Sequence, residues 1–185
     1  MKSIFESHIR AIESYMTDSN LSLAEAAFDE IVTTLKSGHT VLICWNGWSA
    51  ADSQHIAAEI VGRYKKERRG LPAIALTTDT SNLTAIGNDY GYDRVFSRQV
   101  EALGRSGDIL LVLSTSGNSV NVVEAVKEAK RIGMKVVGFL GRSGGILKDM
   151  VDYPIVVSTE STAHIQECHM ILYHAMCEKI DLHFD

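Results

Sequence analysis

Apolar residues recur at helical spacing from the start of the chain, where Ile4, Phe5, Ile9, Ile12, Tyr15 and Met16 fall on one stripe. A second helix is expected to open at "SLAE", with Ser22 and Glu25 placed as a capping box, and to run to about Lys36 before Gly38 ends it. The pattern then changes. Short apolar, β-branched runs at 40–44, 73–76, 108–114, 135–140 and 153–158 alternate with helical patterns at 49–64, 92–103, 118–132 and 161–181. Runs without polar alternation are strands buried on both faces, as in parallel sheets. The alternation predicts an α/β fold, a three-layer αβα sandwich on a five-stranded parallel sheet. It forms a single domain over 1–185, with N-terminal helices in 1–37 and the sandwich and C-terminal helix in 38–185. Ligands of such folds bind beyond the carboxyl ends of the strands, in the strand-to-helix loops.

The two end helices fit the sandwich less neatly. The last is apolar on most faces, through Ile165, Met170, Ile171, Leu172, Ala175, Met176 and Ile180. A helix of that kind needs cover on more than one side, so a homo-oligomer with the end helices in its core is expected.

Composition narrows the function classes. The 185 residues are 45% apolar and 22% charged, with a net charge of −5, which argues against a general nucleic-acid binder. The one basic cluster, Tyr64–Arg69 ("YKKERR"), reads as a solvated helix end with a cationic last turn. No run reaches the ~18 apolar residues of a membrane span, and the N-terminal segment lacks a signal-peptide core, so a cytoplasmic protein is expected. Cys44, Cys168 and Cys177 have no metal-knuckle spacing and sit in apolar elements, as buried reduced thiols do.

Two loops carry candidate chemistry. In "LSTSGNSVNVVEAV", Ser114, Thr115, Ser116 and Ser119 crowd hydroxyls around Gly117 and Asn118 where a helix begins. Free N–H groups and the helix dipole make that end a phosphate site. Without a P-loop lysine or a G-x-G-x-x-G, a phosphorylated small molecule fits better than a nucleotide. In "VLICWNGWSAADSQH", a strand leads through a short loop to a helix with His55 and Glu59 on one face, a pair able to ligate a metal or to place a carboxylate base beside an imidazole. Gln166, Glu167, His169 and His174 add polar groups to the last helix, each expected to meet solvent or a partner.

"SAADSQHIAAE", "AIGNDYGYDRVFSRQVEALG", "STSGNS" and "HIQECH" with a later histidine occur in that order. Over nearly its full length the chain resembles the sugar isomerase (SIS) domain family, and within it the heptose-phosphate isomerases. The resemblance implies conversion of sedoheptulose 7-phosphate to D-glycero-D-manno-heptose 7-phosphate, the first step toward the ADP-heptose of bacterial surface polysaccharides, by a zinc-containing homotetramer. It implies phosphate contacts from Ser114, Thr115, Ser116 and Ser119. Sugar contacts would come from Asn46, Gly47, Trp48, Ser49, Asn88, Asp89, Glu59 and Gln166. His55, Glu59, Gln166 and His174 would hold zinc, with Glu59 and His174 as the acid–base pair. Gln166 and His174 are separated by a rise of roughly 12 Å on a straight helix, so convergence on one ion demands leaning side chains, a bend, or an intersubunit site.

The chain departs from the family at the first loop. Where relatives read Gly-Asn-Gly-Gly-Ser, this chain has Trp45-Asn46-Gly47-Trp48-Ser49. Three outcomes are open: the indoles turn into the core and spare catalysis, they close the sugar site and impair turnover, or they stack on a different sugar phosphate. A positive φ at Trp48 would add strain. His164 stands where arginine is common and reads as a surface substitution. The rival class is a non-catalytic SIS module that binds a sugar phosphate or a protein, as replication-initiator-associating proteins of this fold do.

Overall fold

A computed structural model describes all of residues 1–185. Helices α1 (Lys2–Tyr15) and α2 (Asp18–Lys36) precede β1 (Val41–Cys44) and α3 (Trp48–Val61). Strand β2 (Ala73–Ala75) leads to α4 (Thr80–Tyr90), a 3₁₀ turn at Tyr92–Arg94 and α5 (Ser97–Leu103). Then come β3 (Ile109–Ser114), α6 (Val120–Ile132), β4 (Lys135–Gly141), a second 3₁₀ turn at Ile146–Asp149, β5 (Tyr153–Val157) and α7 (Thr162–His183). The five strands are parallel throughout, in the order β2-β1-β3-β4-β5. The predicted α/β sandwich is therefore the observed fold, and its strand order reverses between β1 and β3, the switch point where such sheets open a crevice.

Strand alternation divides the core between the two faces. Val41, Ile43, Ile109, Leu111, Val137 and Phe139 pack under α2, α3 and α7, while Leu42, Leu110, Val112 and Val136 pack under α5 and α6. Each fully buried side chain of this kind contributes about 1.5–3 kcal/mol. Cys44, Cys168 and Cys177 are buried and free, and burial pushes the Cys177 thiol up to about 12, so none is a ready nucleophile.

Four local expectations are corrected. Helix α2 begins at Asp18, not at Ser22, because the Thr17 side chain accepts from the Asn20 N–H and caps it there. Helix α4 was not foreseen; it buries no residue outright, so its apolar periodicity is weak, although the Asp79 cap at its start is readable. The expected 92–103 helix splits into a 3₁₀ turn and α5. The basic segment is not a helix end, since α3 stops at Val61. Asp181 of α7 instead organises it as a loop, accepting from the Lys65 and Lys66 N–H groups and from Arg68 Nε at 2.8 Å.

Candidate functional site at the β1–β3 switch point

The loop after β3 passes its backbone against the 144–145 turn. Gly117 has φ +67°, and a Cβ there would stand 1.9 Å from the Gly144 carbonyl oxygen, so only glycine fits. The Asn118 side chain accepts from the Ile146 N–H, and the Gly117 carbonyl accepts from the Leu147 N–H, tying the loop to the β4–β5 connection. Ser114 Oγ accepts from the Gly117 N–H and lies 3.4 Å from Ser119 Oγ, while Ser116 Oγ accepts from the Asn118 N–H. Ser119 sits at the N-cap of α6 with its side chain uncommitted to the cap. No protein acceptor takes the N–H groups of Ser119, Val120 or Asn121. Ser114, Thr115, Ser116 and Ser119 are thus gathered at an open helix N-terminus suited to a dianion.

The neighbouring loop turns at Gly47, whose φ of +59° supplies the one left-handed residue the turn needs. Trp48 begins α3 without a positive φ, which removes the expected strain. The two indoles separate completely. Trp45 is 4% exposed and packs in the core edge-on to His169, ring centroids 5.7 Å apart, whereas Trp48 is 89% exposed. Trp48 flanks a hollow of about 270 Å³ lined also by Asp52, Gln166, Glu167 and Met170. Asn46 is held by a reciprocal amide pair with Asn121 at 2.9 and 2.8 Å, and Tyr92 donates its hydroxyl to Asn46 Oδ1.

The remaining expected residues fall into separate groups. Gln166 donates to Ser49 Oγ at 3.2 Å, joining the start of α7 to the start of α3. His55 Nε2 lies 3.1 Å from Glu59 Oε1, and the His55 and His174 rings are 5.2 Å apart. Tyr64 stacks on His174, and Tyr173 places its hydroxyl 3.2 Å from His55 Nδ1. Burial, reinforced by His55, holds His174 below the ordinary imidazole range. Burial pushes the carboxyl of Asp52 up, against the Tyr173 hydroxyl and His55. Asn88 and Asp89 are exposed at the end of α4 and hydrogen-bond to each other, apart from these groups.

Two geometrical facts limit what one chain can do. Glu59 stands in the last turn of α3, roughly 16 Å of helix rise from Trp48 at its start. The donor set implied for zinc does not converge either. His55, Glu59 and His174 cluster, but Gln166 is engaged with Ser49 two turns back along α7, and no three carboxylate, imidazole or thiolate groups are arranged to hold an ion. The residues of a single chain do not fit the metal.

Other expectations on α7 also change. His169 is fully buried, with Nε2 on the Leu140 carbonyl oxygen and Nδ1 without a partner, so one polar group of the helix is neither solvated nor paired. His164 is not a free surface residue, since its ring packs 4.3 Å from that of His8 on α1. Sequence reasoning missed Tyr64, Arg68, Tyr92, Asn121, Tyr173 and Asp181. Only Asn121 carried a signal, as a polar residue facing inward in the first turn of an otherwise ordinary amphipathic helix.

The SIS domain profile matches residues 5–141. This chain belongs to the SIS domain family. Among SIS relatives, the phosphoheptose isomerase of Campylobacter concisus is 52% identical over 98% of this chain and 95% of its own length. That of Aliarcobacter butzleri is 58% identical over 85% of this chain and 83% of its own length. The solved structure of phosphoheptose isomerase GmhA from Neisseria gonorrhoeae superposes with a TM-score of 0.91 at 47% identity, covering 98% of this chain and 96% of that one. The enzyme class expected from the motifs, an aldose–ketose isomerase, is the class these SIS relatives bear by name.

Proposed function

We propose that this SIS protein interconverts sedoheptulose 7-phosphate and D-glycero-D-manno-heptose 7-phosphate, at the head of a route to the ADP-heptose of surface polysaccharide. One observation carries the reading: a hydroxyl-lined helix N-terminus with free N–H groups opens at the sheet's switch point. The relatives' shared name supplies the sugar. The phosphate rests on Ser114, Thr115, Ser116 and Ser119, and the sugar carbons extend over Asn46, Gly47, Trp48 and Ser49, with Asn88, Asp89 and Gln166 at its edge.

The chemistry requires a proton to leave C1 of the ketose and return to C2. Glu59 takes it as a carboxylate, C1 and C2 become the double bond of an enediol, and Glu59 returns the proton to C2. The C2 oxygen gains a proton on the way and the C1 oxygen loses one. His174 serves that exchange, because an imidazole held neutral near pH 7 donates from one ring nitrogen and accepts at the other. His55, bonded to Glu59, fixes the carboxylate's direction.

The length of α3 separates Glu59 from the first loop of its own chain, where the sugar is read to lie. We therefore read the working form as a homo-oligomer, a tetramer by resemblance, in which one chain's acid–base pair meets another chain's phosphate loop. The exposed stripe of Ile4, Phe5 and Ile9 on α1, continued by Met16 just after it, with Met170 and Ile171 on α7, supports such an assembly. Zinc is given no step, since the four donors do not converge in one chain. Metal content of the purified oligomer checks it separately: one zinc per chain means that assembly completes the set, and none means the acid–base pair works alone.

Turnover of sedoheptulose 7-phosphate tests the function. Glu59→Gln and His174→Asn are each expected to lower kcat about 10²- to 10⁴-fold with the fold intact by circular dichroism. A folded Glu59→Gln variant running at the wild-type rate would overturn the mechanism. An inactive wild type that binds a protein partner through this face would move the reading to the binding module.

A further inference from the structure

The sugar loop and the phosphate loop leave adjacent strands, β1 and β3, on opposite sides of the switch point. Nothing in the strand register fixes the spacing of two loops beyond the strand ends. A side-chain bridge does. Asn121, the second residue of α6, is 3% exposed and exchanges two amide hydrogen bonds with Asn46, at 2.9 and 2.8 Å. Tyr92, entering from the turn after α4, adds a third bond to the same Asn46 amide at 3.2 Å. Asn121 also contributes one of the unpartnered N–H groups of the α6 N-terminus. A single residue thus belongs by its backbone to the phosphate end and by its side chain to the sugar loop.

An ordinary amphipathic helix would place an apolar residue or a solvated one at such a position. A buried primary amide is costly unless it finds partners, and here its oxygen and one N–H are met by the residue expected to face the sugar. The pair is cyclic, so neither amide can rotate without breaking both bonds.

We propose that Asn121 is a positioning residue of this site, which through Asn46 sets the sugar loop at a fixed distance from the phosphate end. The inference rests on the proposed function and goes beyond it by assigning a role to Asn121, which does not itself contact the reacting carbons. A ligand that is phosphate alone does not sense the bridge; a ligand that spans both loops does.

The experiment is calorimetric binding of inorganic phosphate and of sedoheptulose 7-phosphate to the assembled protein. It compares wild type, Asn46→Ala, Asn121→Ala, the double variant and Asn121→Asp, with melting temperatures recorded for each. Phosphate affinity is expected to stay within about 2-fold in Asn121→Ala, while sugar-phosphate affinity and kcat/KM fall together by roughly 10- to 100-fold, the scale on which misplacement acts. The double variant should be no worse than Asn46→Ala, which already removes both the bridge and the sugar-facing amide, so the loss from Asn121→Ala should vanish in that background. Asn121→Asp, which still accepts from the Asn46 amide, should recover part of the loss. Additive losses in the double variant, or phosphate affinity falling as far as sugar-phosphate affinity, would overturn the role. If Asn121→Ala is too unstable to assay, Asn121→Ser, which adds no charge beside the phosphate end, carries the same comparison. A wild type that binds sedoheptulose 7-phosphate no more tightly than phosphate sinks the functional reading and the bridge with it. A discriminating wild type beside an equally discriminating Asn121→Ala sinks the bridge alone.

Discussion

Trp45 and Trp48 lie three positions apart and behave as different kinds of residue, because Gly47 turns the chain between them. Trp45 is core, so Trp45→Gly removes a packed indole and is expected to cost about 3–5 kcal/mol, measured by denaturant unfolding. Trp48→Gly should change stability by no more than about 1 kcal/mol. Trp48 is the indole free to meet a ligand, and Trp48→Gly raising kcat/KM would identify it as an obstruction at the sugar loop. His169 offers a second measurable consequence. Burial lowers its imidazole to about 4, from an ordinary value near 6.5. Below pH 6.5 the unfolded chain takes up a proton that the folded chain refuses, so stability is complete above pH 6.5 and falls as pH drops toward 4. The expected loss across that window is about 3 kcal/mol, and His169→Gln should lose distinctly less over the same range.

Among the elements, the strands were the most legible. Their β-branched runs have only one way to be buried on both faces, and the five observed strands match the expected segments, β4 running one residue further, to Gly141. The helices resting on weak periodicity were less so. Helix α4 hides because Leu83 and Ile86 are only partly buried among Thr, Ser and Asn. The segment after α3 misled for another reason. Its charges suggest solvent, yet Arg68 is buried against Asp181, more than a hundred residues away in sequence, with Arg68 Nη2 on the Glu59 carbonyl oxygen. The crowding of hydroxyls at the start of α6 was readable, but the reason for that loop's path was not. That reason is Gly117 against Gly144, and it yields a prediction at this scale. Gly117→Ala meets backbone rather than a flexible side chain, so the loop must move. Phosphate affinity is expected to drop at least 10-fold, read by calorimetry, while the sheet and its circular dichroism persist.

At the scale of the molecule, the outer stripe of α1 remains uncovered, with Phe5 64% and Ile9 52% exposed. Singly exposed apolar side chains are normal, but a continuous stripe backed by Met170 and Ile171 is not. Phe5→Glu combined with Ile9→Glu is expected to shift the oligomer to smaller species by light scattering and to abolish turnover without unfolding the sandwich. The candidate site divides along the same line. Residues near one another in sequence, such as His55 with Glu59 or Ser114 with Ser119, were found together as expected. The relation between those groups was not readable, because it depends on the length of α3 and on the packing of α7 beside it.

The length of α3 has a genetic consequence. In the proposed assembly, recognition of the phosphate and movement of the proton are supplied by different copies. A chain defective in its phosphate loop and a chain defective at Glu59 then carry complementary losses. Co-assembled, they restore some sites in which both intact halves meet, while leaving others doubly broken. Two dead alleles would complement each other, and the living fraction would be set by how the copies shuffle.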